Sequence, residues 1–169
     1  MGWGTSSTAS GAASRSRTAS AAHPITRWAT ACRAFSEVAE LASRAGVTYC
    51  LENLNTKLDH PGYELPTVED TAAIVDAVGS PNLRLLLDVY HAQVQEGNVI
   101  ALIERYGDRI DLVQVADVPG RHEPGTGELN YPRIAAALRD AGYRGPIGLE
   151  AFPSGDPHLA MERFRDAFT

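Results

Sequence analysis

Four polar residues each stand at the end of a short apolar run: Glu52 after Leu51, Asp88 after Leu87, Gln114 after Val113 and Glu150 after Leu149. They lie 36, 26 and 36 residues apart, each step about one strand-plus-helix unit. If the runs are parallel strands of one barrel, their C-terminal ends gather at a single face and the four side chains converge there. Three carboxylates in one cleft repel one another, which is tolerable only with a bound cation or with raised pKa values. Carboxylate and amide oxygens are hard donors that suit Mg²⁺ or Mn²⁺ better than a soft metal. The expected chemistry is a divalent-metal and proton-transfer site.

The loops that follow these runs are also unusual. His91 comes three residues after Asp88 and can point into the same mouth. After Gln114 a long stretch, residues 116–127, is dense in Gly, Pro and charge and carries Arg121 and His122. The planar fork of Arg121 suits a substrate carboxylate, the alternative being a surface turn with solvated charges. The glycines do not form a dinucleotide or Walker loop, since no G-x-G-x-x-G opens a helix after a strand and no Walker lysine is present. A G-x-S-x-G nucleophile elbow is missing too.

The elements needed to position these residues can be read from periodicity. Phe35, Val38, Leu41 and Ala42 recur at helical spacing, and Gly46 stops that helix. Residues 47–53 read as a strand. A helix over 68–78, with Thr67 as N-cap and Asp70 three residues on, leads to a strand over 83–89. A helix over 99–106 precedes a strand over 111–116. Pro132 suits the first turn of a helix that ends at Gly142. A strand over 146–151 follows, and Asp156-Pro157 starts the last helix. Strands alternating with helices, and nearly uniformly apolar, predict an α/β fold with parallel βαβ units covered on both faces. The expectation is a partial (βα)8 TIM barrel of about four parallel strands with flanking helices.

Residues 1–34 have a different texture. They are rich in Ser, Ala, Thr and Gly, carry four arginines and contain no acid. Such a segment buries too little apolar surface to offset the entropy of ordering, so low-complexity disorder is expected over 1–34. The folded unit is expected over 35–169. The formal net charge of -6 argues against nucleic acid as the main partner. No apolar run approaches the ~20 residues a membrane helix needs. Two cysteines, Cys32 and Cys50, make neither a disulfide framework nor a zinc site. Cys50 reads as a buried apolar filler, and a reduced cytoplasmic setting is the default expectation.

Taken together, several segments resemble the hydroxypyruvate isomerase family of the xylose-isomerase-like barrels. They are Leu51-Glu52-Asn53-Leu54-Asn55-Thr56, Asp59-His60-Pro61-Gly62-Tyr63, Leu87-Asp88-Val89-Tyr90-His91, the whole of 115–131, Gly142-Tyr143 and Gly148-Leu149-Glu150. The stretch 117–131 is specific to the hydroxypyruvate isomerase branch, whereas the strand-end acids indicate only the wider superfamily. The resemblance implies that Glu52, Asp88, Gln114 and Glu150 hold the metal. It further implies that Glu52 and Glu150 are the acid–base pair and that His91 and Arg121 contact substrate. The implied reaction interconverts hydroxypyruvate and 2-hydroxy-3-oxopropanoate (tartronate semialdehyde) through an enediolate.

Two alternatives stand beside this expectation: an isomerase or epimerase of another sugar or sugar acid, and a truncated, non-catalytic fragment. The family has eight strands and four are legible here, so the resemblance covers its C-terminal half. The reading is a truncated or misassigned product in preference to a natural half-barrel. A homo-oligomer that closes a barrel from two copies remains open.

Overall fold

The computed structural model describes residues 24–169. The chain runs α1 (Pro24–Ala45), β1 (Tyr49–Glu52), α2 (Val68–Val78), β2 (Leu83–Asp88), α3 (Val89–Gln95), α4 (Val99–Tyr106), β3 (Ile110–Val115), α5 (Tyr131–Asp140), β4 (Ile147–Leu149) and α6 (Pro157–Phe168). The four strands form one sheet in the order β1-β2-β3-β4, and every pair is parallel. The expected partial barrel is therefore the observed one.

Local chemistry explains most boundaries. Gly46, at φ +67°, lets the chain leave α1 through a left-handed turn. The Thr67 hydroxyl accepts the Asp70 backbone N–H and so caps α2. Asn130 caps α5 in the same way, with a proline in the first turn, and Asp156 caps α6.

Two boundaries differ from expectation. Helix α1 begins at Pro24, so residues 24–34 are helical and the disorder expected for 1–34 does not hold over them; residues 1–23 lie outside the described residues. The reason is tertiary. Ala31, Cys32 and Phe35 pack against a small core of Ala39, Leu51, Ile74, Val75 and Leu83, which gives the weakly patterned segment a surface to bury against. Helix α3 is the second difference. The residues after Asp88 were expected as a loop, but Asp88 Oδ1 accepts the His91 N–H and opens a seven-residue helix. Cys50 is half-buried rather than buried.

The main core lies between the sheet and α2, α4 and α5. Leu85, Leu87, Val113 and Val115 point into it from the strands, and Val68, Ile103, Ile134 and Leu138 from the helices. The alternate strand positions face the other way, toward the barrel interior. Among the described residues β1 and β4 each leave one edge unpaired, and Val47 and Tyr49 at the β1 edge are exposed. No helix of the described residues is long and apolar enough to cross a membrane.

Candidate active site

Strand register decides which side chains meet. Glu52 pairs with Leu86, Asp88 with Gln114, and Gln114 with Gly148, two residues before Glu150. Paired residues of a parallel ladder point to one face, and so do residues two apart on a strand. Glu52, Asp88, Gln114 and Glu150 therefore share the interior face at the C-terminal end of the sheet. A register irregularity in the β2–β3 ladder makes this possible. Leu85 pairs with Ile110 but Leu86 with Leu112, so Asp111 is an extra residue in β3. Without that slip Asp88 would face Val113, and Gln114 would point into the opposite core.

The side chains converge as expected. An oxygen of Glu52, an oxygen of Asp88 and a nitrogen of His91 lie within 4.8 Å of one another. The Arg121 guanidinium bridges the acids, with Nη2 3.4 Å from Asp88 Oδ2 and 3.0 Å from Glu150 Oε1. It also lies 5.0 Å from the Tyr90 ring centroid, in cation–π range. Arg121 is thus no solvated surface charge. In this conformation it is engaged by protein carboxylates.

Burial sets the electrostatics. Asp88 is 1% exposed, and desolvation pushes its carboxyl up to about 7 against the His91 N–H and Arg121. Desolvation, then the charge of Glu150, raises Glu52 to about 7, with Arg121 opposing. His91 is fully buried and pushed down to about 4, first by desolvation and then by Arg121 and His60, so it is neutral. Among the described residues, Gln114 Oε1 and His91 Nε2 are buried without a hydrogen-bond partner. Buried orphans are costly and uncommon. An orphaned amide oxygen beside raised carboxylates is the donor set a hard divalent cation fits.

Several supporting residues escaped the sequence reading. Asn53 and Asp88 exchange hydrogen bonds, Asn53 Nδ2 donating to the Asp88 carbonyl (3.2 Å) and the Asp88 N–H to Asn53 Oδ1 (3.1 Å). This ties the ends of β1 and β2 together. Asp117, fully buried, accepts the backbone N–H groups of Val118, Gly125 and Leu129 and so staples the long loop after β3. Gly127 passes so close to the Val118 carbonyl and Asp117 that a Cβ would collide with both. Glu123, 1% exposed, accepts from the Ser154 N–H (2.9 Å), the Ser154 hydroxyl (2.7 Å) and Arg163 Nη1 (2.9 Å). The Phe152 N–H donates to the Arg121 carbonyl at 2.8 Å. The loops after β3 and β4 are thereby locked together, and Arg121 is held over Glu150. The sequence signal was present, since acids among glycines and prolines favour Asx-type turns, but their partners are remote in the chain. A cleft of about 440 Å³ lined by Trp28, Phe35, Tyr63 and Leu65 lies between α1 and the loop after β1, and none of Glu52, Asp88, Gln114 and Glu150 lines it.

Residues 7–167 match the profile of the family described as xylose isomerase-like TIM barrel. The chain belongs to that family. Within it, the chain is 45% identical over 107 residues to the human "putative hydroxypyruvate isomerase", covering 63% of this chain and 39% of the relative. It is 44% identical over 115 residues to the "2-oxo-tetronate isomerase" of Cupriavidus necator, covering 68% of this chain and 44% of the relative. A crystal structure from Brucella melitensis titled "AP endonuclease, family 2" superposes with a TM-score of 0.75 at 37% identity, over 80% of this chain and 52% of that one. The chain thus spans less than half the length of the human and Cupriavidus relatives and about half of the Brucella protein. The hydroxypyruvate isomerase resemblance read from the motifs agrees with the name of the human relative, and both curated relatives are named isomerases.

Proposed function

We propose that this chain carries the metal and acid–base side of a sugar-acid isomerase that interconverts hydroxypyruvate and 2-hydroxy-3-oxopropanoate. The observation that carries this reading is the meeting of Glu52, Asp88, His91, Arg121 and Glu150 at one strand-end mouth. Glu52, Asp88, Gln114 and Glu150 would hold a divalent cation, Mg²⁺ or Mn²⁺, which when bound neutralises the clustered acids and polarises substrate oxygens.

The residues divide the remaining work. Glu52, raised to about 7, is poised to exchange a proton near neutral pH. One of the pair Glu52 and Glu150 takes a proton from C3 of hydroxypyruvate, and the C–H electrons form the enediolate between C3 and C2. The other glutamate returns a proton to C2 while the hydroxyl proton moves from O3 to O2, giving the isomer with no change in composition. Glu150 is 48% exposed on the solvent side of the mouth and Glu52 27%, so the two acids sit in unlike surroundings, as a proton-transfer pair requires. His91 supplies a hydrogen bond to a substrate oxygen. Arg121, released from the acids, would clamp the substrate carboxylate through its planar fork.

A second reading, an isomerase of a four-carbon sugar acid, is favoured by the likeness to the Cupriavidus protein. Two copies joined β4 to β1 would give eight strands, and we propose such a homo-oligomer as the form that closes the pocket. Assay of the purified chain with hydroxypyruvate and Mg²⁺ or Mn²⁺, against Glu150→Gln, tests the reading; a tetronate panel separates the substrates, and light scattering reads the assembly. No turnover above the control, with a poorly cooperative melt, would leave the non-catalytic fragment standing.

A further inference from the structure

Asn55, two residues beyond Asn53 and fully buried, has every polar atom committed. Its Oδ1 accepts the backbone N–H groups of Leu58 (3.0 Å) and Asp59 (3.1 Å). Its Nδ2 lies 2.6 Å from Asp59 Oδ2 and 2.6 Å from His91 Nδ1. The amide orientation is forced. Rotated by half a turn, Nδ2 would face two N–H donors, and Oδ1 would face a carboxylate. An NH₂ group has no acceptor capacity, so His91 Nδ1 must receive the bond with its lone pair. The Asn55 backbone N–H also points at Nδ1, from 3.4 Å. Asp59 Oδ2 lies 3.9 Å from that nitrogen, too far to draw a proton onto it, and among the described residues no hydrogen bond from Nδ1 to an acceptor oxygen is seen. In a neutral imidazole whose Nδ1 accepts, the proton is on Nε2.

That nitrogen is aimed into the mouth, 3.9 Å from Glu52 Oε1 and 4.0 Å from Asp88 Oδ2, with no partner of its own among the described residues. By distance alone His91 belongs with Glu52 and Asp88 as a candidate metal ligand. A protonated Nε2 has no lone pair to give an ion.

We propose that Asn55 is a positioning residue that holds His91 as the Nε2–H tautomer, which makes His91 a hydrogen-bond donor to a substrate oxygen and keeps it out of the ligand shell of an ion at this mouth. The donor role rests on the isomerase reading, whereas the tautomer does not. The ligand set then reduces to oxygen atoms, in keeping with Gln114 rather than a nitrogen donor completing it.

Long-range ¹H–¹⁵N correlation of ring-labelled histidine in the full chain reads the tautomer directly. The expected spectrum shows a directly bonded proton on His91 Nε2 and none on Nδ1, unchanged when Mg²⁺ is added. A proton on Nδ1 instead, or loss of the Nε2 proton on adding Mg²⁺, overturns the proposal. The double variant Asn55→Asp with Asp59→Asn reverses the polarity of the network while keeping its side-chain hydrogen bonds and its charge, and gives up only the contact of the residue-55 backbone N–H with Nδ1. Its new carboxylate accepts from Nδ1, and the proton on Nε2 should be lost or joined by one on Nδ1. A double variant with a wild-type melting temperature and a wild-type ring spectrum would show that Asn55 does not set the tautomer. With hydroxypyruvate as substrate, loss of the Nε2 proton in this variant should raise KM about tenfold, the size of one lost hydrogen bond to a buried polar group, whereas a ring protonated on both nitrogens keeps its donor and should leave KM near wild type. The spectrum is read without turnover, so a chain inactive on every sugar acid would end the isomerase reading and leave this assignment to its own result.

Discussion

Asp88, the last residue of β2, and Glu123, in the loop after β3, are both acids with 1% exposure, and they behave in opposite ways. Glu123 accepts a backbone N–H, a hydroxyl and a guanidinium. Burial alone would raise its carboxyl, but these bonds outweigh it and hold the group down to about 2. Asp88 accepts one short bond, from the His91 N–H, and shares Arg121 with Glu150. Desolvation wins there, and the carboxyl rises to about 7. The same residue class under the same burial therefore serves two ends. A fully satisfied carboxylate is a fixed structural charge, and an under-satisfied one is stored capacity for an ion or a proton.

The largest expected effect falls on the reacting side of this contrast. Glu150→Gln or Glu52→Gln should lower kcat by roughly 10²–10⁴-fold, the range for losing a general acid or base, with the fold intact by circular dichroism. A wild-type rate in either variant would break the assignment. Glu123→Ala should instead cost stability, about 2 kcal/mol in chemical denaturation, because Arg163 and Ser154 lose their shared acceptor in a buried setting. Should that variant lose activity without losing stability, the division between the two acids would be wrong.

The pH dependence of metal-free protein sharpens the comparison. Glu123 is depressed from 4.5 to about 2, so its stabilisation is complete above about pH 4.5 and is lost as pH falls through 2. Asp88 and Glu52 are raised to about 7, so stability is highest below their unfolded pKa values near 4 and is lost as pH rises through 7. The melting temperature should therefore peak between the two limbs. Asp88→Asn should flatten the neutral limb, and Glu123→Gln the acid one. Mg²⁺ or Mn²⁺ should raise the melting temperature more at pH 8 than at pH 5. The smallest effect is a control: Thr67→Ala removes the α2 cap, whose side-chain hydrogen bonds go to Asp70 and not to the acids of the mouth, and should cost ~1 kcal/mol with kcat unchanged.

Much of the site was legible before any coordinates because strand-end residues obey a simple rule. An apolar run followed by a polar residue, repeated at βα spacing, places Glu52, Asp88, Gln114 and Glu150 at one rim. Their place in the loops after these strand ends pointed to His91 and Arg121 as well, and the structure brings both to that rim. Less was legible about what supports them. Asn55, Asp117 and Glu123 sit in loops whose composition signals only turns. The role of each depends on a partner 36, 12 or 40 residues away in the chain: His91, Leu129 or Arg163. The helical start at Pro24 was hidden for the same reason, since residues 24–34 carry little pattern of their own and gain order by packing on Ile74 and Leu83.

By itself, then, the sequence determined the parallel α/β layout, the cap at Thr67, the helix starts at Pro132 and Asp156-Pro157, and the identity of the residues at each strand end. These depend on periodicity and on contacts within a turn or two. Only the tertiary structure decided the phase of those residues. The extra residue Asp111 turns Gln114 to the interior face beside Asp88, and cross-loop hydrogen bonds set the proton on His91 and the charge on Glu123. Register and desolvation belong to chains packed side by side, and neither is written in any local run of residues.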